Sequence, residues 1–164
     1  MKYSIVICGG GSTYTLPMIK TLCDFKEKLP LRKIVLYDIE KERTSLIYEA
    51  AKVIINELMP DVKIELSYDY EQAFSDIDFA FMQIRSGGLE MREKDEKIPL
   101  KYGCVGQETC GAGGFAYGLR SIPDIIKLVE EIRRYSPNAW IINYSNPAAI
   151  VAEATKRVFP NEKN

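Results

Sequence analysis

The run Ser4-Ile5-Val6-Ile7-Cys8-Gly9-Gly10-Gly11-Ser12-Thr13, residues 4–13, decides the fold. A short apolar segment stops at three glycines, and a polar turn and a helical pattern follow, which predicts a strand, a tight turn and a helix. Backbone N–H groups at such a turn and the positive end of the helix behind it favour a phosphate or pyrophosphate. Glycine-rich turns after strands are common, so this motif alone leaves a dinucleotide site and an ordinary turn equally open.

Strands and helices alternate along the whole chain, which predicts an α/β fold. We expect a doubly wound, Rossmann-like parallel sheet of order 3-2-1-4-5, with ligand at the carboxyl ends of its strands. The pattern gives strands over 4–8, 34–37, 62–66, 78–83 and 140–144, helices over 16–28, 41–59, 70–74, 89–97, 119–135 and 148–158, and a glycine-rich loop over 103–114. The strands 78–83 and 140–144 are almost wholly apolar, which predicts that both of their faces are covered.

The pattern also bears on domain organisation. We expect one domain over residues 1–164, truncated before the sixth strand of such a sheet. An open sheet edge at that point predicts a homo-oligomer.

Composition limits the partners and the chemistry. The chain has a net charge of −1, with 46% hydrophobic and 27% charged residues, so nothing in it favours nucleic acid or an anionic membrane. No apolar run approaches the ~20 residues of a membrane span, and Met1 leads directly into the first strand, so we expect a cytoplasmic protein. The sequence contains no histidine, and its four cysteines form no C-x-x-C pair, so their spacing suits neither a zinc cluster nor a disulfide framework.

Asp38 strengthens the dinucleotide interpretation. It ends the second predicted strand, where a carboxylate can accept hydrogen bonds from the hydroxyls of an adenine ribose. An acid at this position disfavours the additional phosphate of NADP and therefore favours NAD. The alternative role for Asp38 is an N-cap of the helix that follows.

Further polar residues follow the fourth and fifth strands. Arg85 and Arg92 suit a bidentate contact with phosphate or carboxylate, although many charged neighbours also fit a solvated helix. Glu108 is either a ligand contact or an ordinary loop acid. Asn143 and Asn146 could contact a ribose or substrate hydroxyl, or Asn146 or its serine neighbour could cap the last helix.

Six segments together resemble glycoside hydrolase family 4: residues 7–15, 36–38, 83–88, 91–103, 106–111 and 143–148. The resemblance runs from Tyr3 to about Val158. It implies a fold similar to lactate and malate dehydrogenases, and the activity of NAD- and divalent-metal-dependent 6-phosphoglucosidases and α-galactosidases. In this chemistry NAD⁺ takes a hydride from C3 of the sugar, and the resulting ketone acidifies the C2 proton. A base removes this proton, the leaving group is eliminated, water adds and the hydride returns. The metal polarises the C3 oxygen.

The resemblance also assigns residues. It implies that Gly9, Gly10, Gly11, Ser12, Thr13 and Asp38 bind NAD, with Arg85 a further candidate for a pyrophosphate or substrate contact. It implies that Arg92 and Asn146 bind a 6-phosphoglucoside or phosphorylated disaccharide and that Glu108 lines this site. Residues 144–153 and Cys110 are more similar to the α branch, whereas Gln83, residues 87–89 and residues 113–115 are more similar to the β branch. We favour a 6-phospho-α-glucosidase, for example one acting on maltose 6′-phosphate.

The family's catalytic residues and metal-binding Cys and His lie C-terminal to the matching region. We therefore expect no catalytic residue and no metal ligand in residues 1–164, although the family uses a divalent metal such as manganese. The chain alone is predicted to be inactive. Two alternatives remain: a stand-alone NAD-binding or regulatory module, and a remnant of a malate- or lactate-dehydrogenase-like oxidoreductase, which the lack of histidine weakens.

Overall fold

A computed structural model describes residues 2–160 of the chain. Its strands are β1 (Tyr3–Cys8), β2 (Leu31–Tyr37), β3 (Lys63–Ser67), β4 (Phe79–Met82) and β5 (Trp140–Asn143). Its helices are α1 (Thr15–Asp24), α2 (Lys41–Leu58), α3 (Tyr70–Phe74), α4 (Gly88–Leu100), α5 (Gly111–Tyr135) and α6 (Ala148–Val158). No helix among the described residues has both the length and the apolar character needed to cross a membrane.

The five strands form one sheet in the order β3-β2-β1-β4-β5. β1 pairs in parallel with β2 and β4, and β2 pairs in parallel with β3. The predicted Rossmann-like α/β fold and its strand order are therefore confirmed. The order reverses beside β1, so the carboxyl end of β1, where the glycine turn begins, is the topological switch point at which such sheets bind ligands.

The chain divides into two compact units. The first contains the residues up to Gln83 together with Glu131–Ile142, and so the sheet with α1, α2 and α3. The second contains Ile84–Glu130 and the residues from Asn143 onward, and so α4, most of α5, and α6. The single domain expected from the sequence stays a prediction.

The core of the first unit lies between the sheet and the helices α1 and α2. Ile5 and Ile7 of β1 and Ile34 of β2 are fully buried, in one cluster with Ile19 of α1 and Ile55 of α2. Full burial of one such side chain contributes about 1.5–3 kcal/mol. The core thus fixes the ends of β1 and β2, from which the turn and Asp38 emerge.

The structure corrects the expectation that β5 is buried on both faces. Ile141 is buried, but Trp140 is 49% and Ile142 45% exposed. The strand therefore alternates in burial, and its apolar composition alone could not distinguish one covered face from two.

The predicted loop over 103–114 is also wrong at its end, because α5 already begins at Gly111. Gly113 and Gly114 are buried in the first turns of this helix. A Cβ on Gly113 would lie 2.6 Å from the carbonyl oxygen of Asp95, and a Cβ on Gly114 would meet the backbone of Thr109. These glycines allow a helix to pass closely over a neighbouring segment, a role that the sequence pattern does not distinguish from a flexible loop.

Candidate functional site

The glycine turn is held to the end of β2. The N–H groups of Gly9 and Gly10 both donate to the carbonyl oxygen of Tyr37, each at 2.9 Å, and Ser12 N–H donates to Gly9 O at 3.0 Å. Gly9 has a φ of 88°, a left-handed conformation that favours glycine. The turn therefore reverses the chain at once after β1.

Gly10 and Gly11 are required for a different reason, which is space. A Cβ on Gly10 would lie 2.9 Å from the Cβ of Leu36. A Cβ on Gly11 would lie 2.5 Å from Thr44 Oγ1 and 2.9 Å from Asp38 Oδ2. The turn can approach β2 and α2 this closely only without side chains at both positions.

These contacts determine which groups remain for an anion. The N–H groups of the three glycines and of Ser12 already donate to Tyr37 O, Asp38 Oδ2 or Gly9 O, and Tyr14 N–H donates to Ser12 Oγ at 3.2 Å. Within residues 2–160 the N–H of Thr13 has no acceptor, and Thr13 is exposed. The glycines thus shape the turn, and Thr13 presents the donor.

Asp38 is the acidic residue that meets this turn. Its carboxylate is 7% exposed; Oδ2 accepts from Gly11 N–H at 2.8 Å and Oδ1 accepts from Glu40 N–H at 3.1 Å. The N-cap of α2 is Glu40, so Asp38 is not the N-cap, although it fixes the residue that is. Each carboxylate oxygen has a second lone pair, so the two oxygens can still accept from two hydroxyl groups.

Asp38 also affects its neighbourhood. Burial, and secondarily the negative charge of Asp38, raises the pKa of the Cys8 thiol. Cys8 is therefore a neutral, buried side chain at the end of β1, as the sequence predicted.

Gln83, which the sequence indicated only as a similarity to the β branch, fixes the other side of the turn. Its Nε2 donates to Gly9 O at 3.2 Å and to Thr15 Oγ1 at 2.7 Å. Its Oε1 is buried and has no partner within the part of the chain described. The sequence signal for this role was the position of Gln83, which directly follows β4, the strand that lies beside β1 in the sheet.

In the second unit, the structure brings together three predicted residues. Glu108 accepts from Arg85 Nη1 through Oε1 at 2.5 Å, and its Oε2 lies 3.2 Å from Arg92 Nη2. Arg92 Nε also donates to Glu96 at 2.8 Å. One carboxylate therefore joins two guanidinium groups that are partly open to solvent. Such a pair can present the remaining N–H donors to a phosphate or a carboxylate.

Tyr117 and Arg120 extend this cluster and were missed in the sequence. The Tyr117 ring is 2% exposed, and the guanidinium carbons of Arg85 and Arg120 lie 5.5 and 5.6 Å from its centroid. Burial raises the pKa of Tyr117, which the positive charge of Arg85 partly opposes. Arg120 is paired with the buried Asp95 and donates through Nε to Ser86 O at 3.0 Å. Tyr117 and Arg120 lie within α5, and no pattern of sequence spacing relates them to residues 85 and 86 before α4. The sequence therefore contained no signal for these contacts.

The asparagines after β5 separate into two roles. The side chain of Asn143 bonds to the backbone of Ser145, whose N–H donates to Asn143 Oδ1 at 3.2 Å. Asn146 is exposed and precedes a cis peptide bond to Pro147. Pro147 is the N-cap of α6 and no side chain caps this helix, so the capping alternative for Asn146 or its neighbour is wrong.

The side chains of residues 2–160 do not form a metal site. Among them, no three His, Cys, Asp or Glu side chains come together in a way that could hold a metal ion. The described residues therefore do not fit a manganese ion.

Comparison with known proteins places these residues in a family context. Residues 4–164 match the sequence family described as family 4 glycosyl hydrolase. The phospho-alpha-glucosidase PagL of Clostridium acetobutylicum is 64% identical over 162 residues, which are 98% of this chain and 36% of PagL. A probable 6-phospho-beta-glucosidase of Bacillus subtilis is 41% identical over 155 residues, 93% of this chain and 35% of that protein.

Solved structures agree with this result. The crystal structure of a 6-phospho-alpha-glucosidase from gut microorganisms in complex with NAD and Mn²⁺ has a TM-score of 0.96 and 52% identity, covering 98% of this chain and 37% of that one. Malate dehydrogenase from Salinibacter ruber has a TM-score of 0.60 at 13% identity, over 93% of this chain and 41% of that enzyme, which shows a common fold alone. The chain thus spans little more than a third of the glycosidases it matches.

Proposed function

The chain belongs to glycosyl hydrolase family 4, and on that basis we propose that it forms the NAD-binding part of a 6-phospho-α-glucosidase. The observation that carries the proposal is the Asp38 carboxylate, buried and held at 2.8 Å by the N–H of Gly11. A carboxylate fixed at the end of the second strand, beside the glycine turn of the first, suits the adenine ribose of a dinucleotide. NAD⁺, when bound, supplies a hydride acceptor for the sugar.

The turn fits this cofactor in shape. Gly10 and Gly11 leave no room for a Cβ against Leu36, Asp38 and Thr44, so the turn packs directly on β2 and α2 at the switch point of the sheet. Among residues 2–160 the Thr13 N–H meets no acceptor and can donate to a phosphate oxygen, and the Ser12 hydroxyl lies beside it. We propose that Gly9, Gly10 and Gly11 shape the pyrophosphate site and that Ser12 and Thr13 contact it.

The substrate class is inferred from the relatives. The α-glucosidase PagL is 64% identical to the chain, whereas the probable β-glucosidase of Bacillus subtilis is 41% identical. This difference supports a phosphorylated α-glucoside, such as maltose 6′-phosphate, as the substrate of the whole protein. A second solved 6-phospho-alpha-glucosidase, 46% identical, was crystallised with NAD and glucose-6-phosphate.

We propose that the sugar phosphate is bound in the second unit by Arg92 and Asn146, with Glu108 lining the site. Glu108 orients Arg85 and Arg92 towards each other, and both guanidinium groups keep N–H donors for an anion. Arg85 is predicted from the sequence as a contact of the cofactor pyrophosphate or the substrate, and its ion pair with Glu108 is compatible with either role.

No catalytic residue is proposed in this chain. We expect the purified chain to show no hydrolysis of a 6-phosphoglucoside in the presence of NAD⁺ and Mn²⁺. Turnover by the chain alone would contradict this expectation.

The cofactor proposal is tested by calorimetric titration of NAD⁺ into the chain. We expect binding, and we expect Asp38→Asn to weaken it about tenfold, because hydrogen bonds to a charged group contribute about 1.5–3 kcal/mol. Asp24→Asn is the matched control, since this exposed carboxylate pairs with Lys20 on α1. No binding by the wild-type chain at millimolar NAD⁺ would refute the proposed function.

We further propose that the protein is cytoplasmic and self-associates. The half-exposed Trp140 and Ile142 on β5 give the first unit an apolar surface that supports association. Light scattering at high protein concentration tests this, and a monodisperse monomer would contradict it.

A further inference from the structure

Arg43 is a cation beside the carboxylate that is proposed to bind the adenine ribose. It lies in the first turn of α2, and its Nη2 is 3.9 Å from Asp38 Oδ2. Its side chain is 60% exposed. It also lies beside the glycine turn, because a Cβ on Gly11 would lie 3.2 Å from Arg43 Nε. Neither the sequence motifs nor the proposed function uses this residue.

The contact with Asp38 leaves the guanidinium largely free. A separation of 3.9 Å is too long for a hydrogen bond, so the pair is a loose ion pair. The planar guanidinium therefore keeps its N–H donors for a second anion. Asp38, by contrast, is fixed by two backbone N–H groups and cannot turn away.

This arrangement bears on the choice of cofactor. In dinucleotide sites an acid at this strand end selects the free 2′-hydroxyl of NAD, and an arginine close to it accommodates the 2′-phosphate of NADP. Both residue types are present here. When Asp38 accepts from the ribose hydroxyls, the neighbouring Arg43 lies at the same hydroxyl edge. A carboxylate alone would repel the 2′-phosphate of NADP, and the guanidinium of Arg43 offsets this repulsion.

We propose that Arg43 sets the selectivity of the site at the 2′ position of the adenine ribose, so that the chain binds NADP⁺ as well as NAD⁺. The inference rests on the proposed cofactor binding. Arg43 pairs with a 2′-phosphate through its fork of N–H donors and offsets the repulsion from Asp38. For NAD⁺, which has no 2′-phosphate, Arg43 contributes little.

Lys41, the other cation of this turn, does not have this role. Its Nζ lies over the ring of Tyr68, 5.5 Å from the centroid. Arg43 is therefore the cation of the α2 N-terminus for which the structure gives a short distance to Asp38.

The test is calorimetric titration of NAD⁺ and NADP⁺ into the wild-type chain, Arg43→Ala and Lys52→Ala. We expect the wild type to bind both dinucleotides. We expect Arg43→Ala to weaken NADP⁺ about tenfold or more and NAD⁺ by less than about threefold, since a charge-assisted guanidinium–phosphate contact is lost only with NADP⁺. Lys52→Ala removes the same charge elsewhere on α2, where Lys52 pairs with Glu49, and should change neither affinity.

The other outcomes overturn the inference in distinct ways. Wild-type binding of NAD⁺ without NADP⁺ shows that Asp38 decides alone. An equal loss of both ligands in Arg43→Ala places Arg43 on the part that the two dinucleotides share, and no change in either removes it from the site. If the wild type binds neither dinucleotide, the proposed function fails and this inference fails with it.

Discussion

Replacing Asp38 by asparagine tests whether one carboxylate holds the glycine turn. In the wild type the two oxygens accept from Gly11 N–H at 2.8 Å and Glu40 N–H at 3.1 Å. Asparagine supplies one oxygen and one NH₂ group, so one of the two backbone N–H groups then faces another donor. A buried, unpaired donor costs about 1–3 kcal/mol, and the surviving bond is weaker without the charge.

We therefore expect Asp38→Asn to lower the free energy of unfolding by about 2–3 kcal/mol. For a chain of this length such a loss lowers Tm by about 4–12 °C. The ion pair with Arg43 adds little, because it is long and the arginine is largely exposed. Nearly the whole effect thus comes from the two N–H bonds.

Urea unfolding followed by circular dichroism measures the loss, and amide hydrogen exchange locates it. The exchange of Gly11 or Glu40 should accelerate while that of Ile5 in β1 changes least. Asp24→Asn, an exposed carboxylate, should change stability by less than about 0.5 kcal/mol. If Asp38→Asn and Asp24→Asn have the same small effect, Asp38 does not hold the turn.

Three further perturbations follow from the geometry. Gly11→Ala places a Cβ 2.9 Å from Asp38 Oδ2, so calorimetry should show weaker NAD⁺ binding and urea unfolding a loss of about 1–3 kcal/mol from overpacking. Asp95→Asn leaves the guanidinium of Arg120 without its buried partner and should cost about 3 kcal/mol in urea unfolding. Burial raises the pKa of Tyr117, so the folded state holds this proton more tightly than the unfolded chain. The contribution of Tyr117 to the free energy of unfolding should be fully present below about pH 10 and decrease as the pH rises further. In Tyr117→Phe the decrease should be smaller.

Each of these has a control in the same chain. In Gly111→Ala the added Cβ meets no atom within 4 Å, but the φ of 63° strains an alanine, so this variant should lose some stability and keep its NAD⁺ affinity; an equal loss of affinity in both variants would contradict the packing argument. Asp76→Asn removes an exposed partner of Arg32 and should cost less than about 1 kcal/mol; a cost equal to that of Asp95→Asn would show that burial does not matter. Tyr102→Phe, at an exposed tyrosine, should leave the alkaline profile unchanged, and a profile identical to that of Tyr117→Phe would refute the assignment.

The fold could be predicted because its signals are local. The apolar run of β1 stops at three glycines, and the alternation of strands and helices then leaves few topologies. Where the prediction failed, long-range packing decided: Gly113 and Gly114 are helical because α5 passes over the segment near Asp95 and Thr109. The half-exposed face of β5 has the same cause, because the residues of a strand do not determine which other segments pack against its two faces.

The site was predicted in part. Asp38 meets Gly11 as expected, since parallel strands bring their carboxyl ends to one edge of the sheet. Arg85, Arg92 and Glu108 also come together, although a charged helix gave no preference for a site. Gln83 could not be predicted, because its contacts depend on a side-chain direction that spacing does not contain.

The bond between Asp38 and Gly11 has a consequence for how such a site can change. The carboxylate proposed to bind the ribose also keeps the turn against α2, so the proposed recognition and the local folding cannot vary independently at this position. A substitution of Asp38 that changes the cofactor would therefore also loosen the turn. Arg43 is exposed and makes no hydrogen bond to Asp38, so it can be substituted without this cost. We therefore expect changes of cofactor preference in this lineage to begin with substitutions at Arg43, in the first turn of α2, and to involve Asp38, at the end of β2, last.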